Sequence, residues 1–320
     1  MNDVKYWIWL TMVFGIASRR LWQLMSVFET AEEAYYELCS DGRLLNLTAN
    51  EKRNIKTYSL IGVEEIISNC ENKGIEMVCY SSEKYPNQLK YILNPPAVLY
   101  YKGNIDCLIG TKTITAVGAR SASAYSINVT KRICSELAAN GIIIVSGFAL
   151  GTDINAHMAA VAENMPTACV MGCGIDNDYP KGNSIYRDKI IKAGGVLISE
   201  YRPETSVAKG NFSARNRILS ALGRATVIFE ASAKSVALIT ADYAAEQGRE
   251  IFSLPPADIF SDAYAGNVEL LRNGALPVFG AEEILAYFSL GTPIMSEIQA
   301  DKFSAMKSDK NHKSKVSTEK

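Results

Sequence analysis

The chain has 320 residues, 48% of them hydrophobic and 21% charged, with a formal net charge of −1. This balance excludes a wholly disordered chain and a protein coated in positive charge, while leaving room for a local basic groove. Seven scattered cysteines and two histidines exclude a disulfide framework and a zinc set and point to reduced thiols in a cytoplasmic protein, with no metal.

The apolar run from Trp7 to Ala17 is too short to span a bilayer and lacks a small-residue cleavage site, so it is expected to be a core helix and no membrane contact is predicted. A second helix is predicted over Arg19–Phe28, with Leu21, Leu24, Met25 and Phe28 at helical spacing. Thr30 followed by Glu33 reads as a capping box for a third helix, and a fourth is expected over Asn50–Tyr58. Residues 1–75 therefore read as a small all-helical module of the SAM or helix-hairpin-helix kind. Short strands are expected at Ile75–Cys79 and Ala97–Tyr101, separated by a turn-rich stretch from Tyr85 to Pro96.

A strand–helix alternation starts at Thr113. Strands are predicted at Ile114–Val117, Ile142–Val145, Thr167–Met171, Gly195–Ser199, Thr226–Phe229 and Ile251–Leu254. Helices are predicted near Tyr125–Asn140, Ile154–Glu163, Ser184–Ala193, Ser213–Leu222, Leu238–Gln247 and Asn267–Asn273. Near-continuous apolar strands alternating with helices specify an α/β fold with a doubly wound, mostly parallel, Rossmann-like sheet over residues 76–290. From Ser296 onward the composition turns polar and lysine-rich, so 291–320 is expected to be a disordered tail.

The strand ends carry the polar residues. Gly118-Ala-Arg-Ser121 leads into a helix, which is the arrangement that cradles a phosphate on free N–H groups, with Arg120 adding a charged planar fork. Ser146-Gly147 begins a second glycine-bearing turn into a helix. Lys181 and Asn183 lie in a polar loop, and Arg215-Asn216-Arg217 begins a later helix. Together with Arg202 and Lys234 these cations would gather on one rim, which suits a polyanion laid along it. Other readings stand beside this one: Arg215 and Arg217 as partners of Glu200 or Glu230, and Asn183 and Asn216 bonded to loop backbone. His157 lacks a nucleophile partner in a triad-like context.

There is no G-x-x-x-x-G-K-[ST] loop and no G-x-G-x-x-G after the first central strand, and neither a nucleophile–base set nor a carboxylate pair stands out. The sequence thus argues for binding over catalysis, with no cofactor. The rival is a Rossmann-like nucleotide-binding enzyme or sensor of the phosphoribohydrolase kind.

In order along the chain stand Val117-Gly-Ala-Arg120, Ser146-Gly147 with Gly151 and Asp153, Ala156-His157, Tyr179-Pro180 with Asn183 and Ser199-Glu200-Tyr201. They are followed by Phe212 with Arg215-Asn-Arg-Ile218, Leu238-Ile-Thr-Ala241, Gln247-Gly-Arg249, and Asn267 with Leu271 and Gly274-Ala275. This ordered set, spanning roughly residues 80 to 290, resembles the bacterial DNA-processing protein DprA (Smf) family. The resemblance implies a non-enzymatic protein that binds and protects single-stranded DNA, loads the recombinase RecA during natural transformation, and dimerises through the Rossmann-like domain. By position it implies DNA contacts from Arg120 and Lys181, and phosphate-side roles for Ser146, Gly147 and the Arg215–Arg217 run. The chain departs from the pattern at Leu150, where the family carries Arg, and at Val236, where it carries Gly; these departures leave open a diverged family member that keeps the fold and a protein partner without binding DNA.

Overall fold

The computed structural model describes residues 3–40 and 46–289. Among these, five helices come first: α1 (Val4–Phe14), α2 (Arg19–Met25), α3 (Ala31–Ser40), α4 (Ala49–Thr57) and α5 (Leu60–Asn72). Ser18, Thr48 and Ser59 cap α2, α4 and α5 with their hydroxyl oxygens, and Thr48 closes a reciprocal box with Glu51. At α3 Thr30 accepts from the Glu33 N–H, but the Glu33 carboxylate accepts from Glu29 rather than from the cap residue. Helix α5 carries a glycine at Gly62, which masks its start in the sequence. Its buried Val63 and Cys70 nonetheless pack into an aromatic core around Trp7 and Trp9.

The remainder builds one nine-stranded sheet in the order β1-β2-β6-β5-β4-β3-β7-β8-β9. The strands are β1 (Glu76–Cys79), β2 (Val98–Gly103), β3 (Thr113–Val117), β4 (Ile143–Ser146), β5 (Thr167–Met171), β6 (Val196–Ser199), β7 (Ala225–Ile228), β8 (Glu250–Ser253) and β9 (Leu276–Pro277). Strands β1 and β2 add an antiparallel edge, and β3 to β9 are parallel. The helices are α6 (Ala124–Ala139), α7 (Thr152–Ala162), α8 (Ser184–Lys192), α9 (Lys209–Leu222), α10 (Val236–Glu246), α11 (Ala265–Arg272) and α12 (Glu282–Ser289). Helices α6 and α7 bury Ile133, Leu137 and Ala156 against Ile114, Ile144 and Val227. Helices α9 and α10 bury Ile218, Leu222 and Ala241 against Val145 and Ile228 on the opposite face.

This is the doubly wound, Rossmann-like sheet the alternation predicts. The chain runs outward from β3 to β6 and then returns to the other side of β3 as β7, so the order reverses between β3 and β7. Ligands of such sheets sit in the crevice beyond the carboxyl ends at that reversal. Helix α5 and two later elements escaped the sequence reading. Strand β9 is only two residues long, and the apolar run Ile284–Phe288 that folds within α12 is too short to establish a helical period. Helix α9 starts at Lys209, four residues before the expected Ser213, because Gly210 and Asn211 read as loop while Tyr201 secures the Asn211 carbonyl from outside. The tail expected beyond residue 290 lies outside the described residues.

The helical module is fastened to the sheet domain by polar bonds. Trp22 Nε1 donates to the Pro95 carbonyl at 2.9 Å, Lys73 bridges Asp176 and Glu204 at 2.6 and 2.9 Å, and the Ala17 N–H reaches Glu200 at 3.3 Å. Glu200 is itself buried and takes Arg217 Nη2 at 2.6 Å, while Arg217 Nε donates to the Asn94 carbonyl at 3.2 Å. Removing one partner of a buried pair strands the other charge. Arg217→Ala should therefore cost about 3–5 kcal/mol in urea unfolding at constant slope, and Arg217→Met with Glu200→Leu should recover part of that loss. A midpoint for Arg217→Ala that matches the parent would contradict the pairing.

Candidate nucleic-acid interface

The β3–β7 reversal opens into a cleft of about 690 Å³. Its walls come from the Gly118–Ser121 turn after β3, the first turns of α9, and the Glu230–Ala237 stretch after β7. A smaller cavity of about 60 Å³ adjoins it, walled by Phe148, Leu150, Tyr179 and Pro180. Phe212 and Arg120 belong to both.

Arg120 is exposed, and its guanidinium stands 5.6 Å from the centre of the Phe212 ring. Tyr179 meets the same ring with centroids 5.3 Å apart. Among the described residues no ion pair engages Arg120, and no group accepts from the N–H of Ala119, Arg120 or Ser121. Free backbone donors, an uncompensated cation and two aromatic rings therefore face one opening. Lys209, at the start of α9 on the opposite wall, adds a second cation that the sequence reading missed because it placed the helix start too late.

The other expected residues divide by burial. Arg215 lines both openings from below rather than standing on the rim. It is buried, Nη1 donates to the carbonyls of Gly147 (3.0 Å) and Val170, and burial lowers its pKa to about 10, so it stays charged. A Cβ on Gly147 would stand 2.7 Å from Asp153 Oδ2 and 2.8 Å from Arg215 Nη1, so a side chain fits here only if those groups shift. Asp153 and Arg215 thus crowd one side of the expected phosphate seat at Gly147, which also lines the smaller cavity. The Ser146 hydroxyl, fully buried, donates to the Ala116 carbonyl at 2.6 Å. Asn183 Nδ2 donates to Phe148 at 3.0 Å, and Asn216, on the cleft wall, donates to Val236 at 3.3 Å. Arg217 points away into its pair with Glu200.

Lys181 stands exposed next to Pro180, while Arg202 opens onto a separate groove beside Asn69 and Glu204. The single basic rim expected from sequence is therefore a basic cleft plus outlying charges. The start of α7 is also spoken for. Its Thr152 N–H donates to the Ala119 carbonyl at 3.1 Å, and Gly151, at φ +75, lets the two turns touch where a side chain would collide with that carbonyl.

His157 does have a thiol partner, which linear spacing could not reveal. Thr167 Oγ1 donates to the Ile144 carbonyl (2.6 Å) and so accepts from His157 Nδ1 (2.7 Å), leaving Nε2 to accept from the Cys169 thiol at 3.2 Å. Both residues are fully buried. Burial drives the histidine down to about 3 and the thiol well above its usual range, so the pair is a neutral packing element.

Fold and cleft together define a class: a Rossmann-like domain whose switch point carries a basic, aromatic-floored opening in place of a dinucleotide fingerprint. Residues 76–289 match the model of the DNA recombination-mediator protein A family, and the chain belongs to that family. It is 36% identical over 219 residues to DNA processing protein DprA of Bacillus subtilis, covering 68% of this chain and 73% of the relative. It is 37% identical over 255 residues to that of Streptococcus pneumoniae, covering 73% and 89%. The X-ray structure of DNA processing protein A from S. pneumoniae superposes with a TM-score of 0.76 at 29% identity, over 88% of this chain and 97% of that one. A structure of DNA processing protein A from Helicobacter pylori, described for its single-stranded DNA binding mode, gives 0.60 at 29% identity over 68% and 97%.

The buried histidine sets a pH dependence. Unfolded, it protonates near its ordinary 6.5; folded, only near 3. Its contribution is complete above pH 6.5 and is lost as pH falls toward 3, at up to about 1.4 kcal/mol per pH unit. Asp153, whose pKa burial raises despite Arg215, acts in the opposite sense at the acid end. Urea unfolding between pH 7 and 5 should show this falling stability, and His157→Gln should flatten it; an unchanged slope in the variant would count against the assignment.

Proposed function

We propose that this protein binds single-stranded DNA without sequence preference through the switch-point cleft, protects it, and delivers it to a RecA-type recombinase during DNA uptake. The observation that carries the reading is the exposed Arg120 over the Phe212 ring at the mouth of the cleft, beside unoccupied backbone donors. A phosphodiester laid on the Gly118–Ser121 turn meets N–H groups and a planar cation, with Lys209 and Lys181 as further counter-charges. Every base has a π-face, so stacking on Phe212 or Tyr179 tolerates any sequence. The H. pylori relative, described by its single-stranded DNA binding mode, supports the same ligand. The chemistry is binding rather than turnover, and it takes place in the cytoplasm.

Fluorescence anisotropy of a labelled oligo-dT should report binding that weakens steeply with salt. Arg120→Ala and Lys209→Ala should each weaken it by about tenfold and lower the salt slope by about one. Phe212→Ala should cost about 1–3 kcal/mol while leaving the slope unchanged. Absence of binding at low salt would sink the reading.

We further propose a homodimer through the β9 edge. Among the described residues this short strand pairs only with β8, and its Leu276 and the nearby Phe279 stand exposed, with Phe279 at 72%. Light scattering should give twice the chain mass, and Phe279→Glu should halve it; a monomeric parent chain would refute the dimer.

A further inference from the structure

In a Rossmann-like fold the helix after the first central strand turns its positive end toward the switch-point crevice, which is where a nucleotide phosphate is seated. Here that helix is α6, and its seat is taken by a carboxylate of the protein. Glu230 follows β7 and its Oε2 accepts from the Ser123 N–H at 2.9 Å, the Ser123 hydroxyl at 2.8 Å and the Tyr264 hydroxyl at 3.2 Å. Ser126, one turn into α6, bonds the same Tyr264 hydroxyl at 2.8 Å. Asn267, fully buried, fixes the strand end that carries Glu230: it accepts from the Ala231 N–H at 2.7 Å and donates to the carbonyls of Ile228 and Leu254. Glu230 is only 4% exposed and lines the cleft, yet its Oε1 has no hydrogen-bond partner among the described residues.

These bonds are those a phosphate oxygen would collect. We propose that Glu230 is a built-in anion that sets the cleft's specificity: it fills the phosphate seat of α6, so a free phosphate or a mononucleotide phosphate is refused there. Phosphates are then accepted only on the outer Gly118–Ser121 turn, a clause that rests on the DNA-binding reading above. A second anion at α6 would meet the negative charge of Glu230 at close range, and it would have to displace a carboxylate oxygen held by three donors. The chain keeps a fold built for nucleotide phosphates and closes its innermost seat with its own side chain.

The test uses inorganic phosphate and AMP without DNA, so its outcome is separate from the oligonucleotide result. Phosphorus NMR titration and equilibrium dialysis are run on the full chain, Glu230→Gln and Glu230→Ala. Far-UV circular dichroism checks each fold, and the near-isosteric Gln variant serves if Ala fails to fold. The parent chain should bind neither ligand saturably at millimolar concentration. The variants should gain affinity by about tenfold or more, and adding Ser123→Ala should reduce the gain. Equal phosphate binding by the parent chain would overturn the proposal, as would folded variants that bind none.

Discussion

One buried guanidinium holds the candidate site in shape. The carboxyl ends of parallel strands leave carbonyls pointing into the crevice, and a buried carbonyl without a donor is costly. Arg215 reaches from α9 across the sheet to the carbonyls of Gly147 at the end of β4 and Val170 within β5. Asp153, at the start of α7, lies close enough that its charge and that of Arg215 favour each other against the burial both suffer. One side chain thus binds two strands and two helices, and the glycine at 147 follows from the lack of space around it. Arg215 Nη1 is committed in this way, while the residue still lines both openings from the interior.

That commitment defines what the cleft can offer. Phe212 lies between two arginines, Arg120 at 5.6 Å and Arg215 at 5.9 Å from its ring centre. One is locked in the interior and the other is free at the mouth. A ring fixed by a buried cation and by Tyr179 is a stiff surface, so a base stacked on it loses little to reordering of the protein. Leu150 stands half-exposed beside these rings, where the resembled pattern carries Arg. At that wall the chain presents apolar surface instead of charge, so contact there depends less on salt than contact at Arg120.

The strands were legible because short apolar runs end in glycine or polar turns, and their carboxyl ends meet at the cleft of the β3–β7 reversal. The allocation of cations was less legible, although part of it was open to reading. Residues two apart on a helix do not share a face. Arg215 and Arg217 therefore could not both reach one rim, and they turn instead to the β4–β5 ends and to Glu200. Lys209 was hidden by Gly210, whose low helix propensity was overridden when α9 packed on the sheet. The His157–Cys169 contact joins residues on a helix and a strand, and only the parallel register of β4 and β5 makes them neighbours.

A chain of net charge −1 makes a basic opening only by disposing of its carboxylates elsewhere. Glu200 is neutralised by Arg217 in the interior, and Asp176 and Glu204 share Lys73 at the junction with the helical module. Glu230, which lines the cleft together with Asp153, is held by a backbone N–H and two hydroxyls, so it consumes no cation. Arg120, Lys181, Lys209 and Lys234 are left without ion-pair partners among the described residues. The local field at the β3–β7 reversal is therefore a property of the fold, created by where each acid is hidden, and the overall composition carries no trace of it.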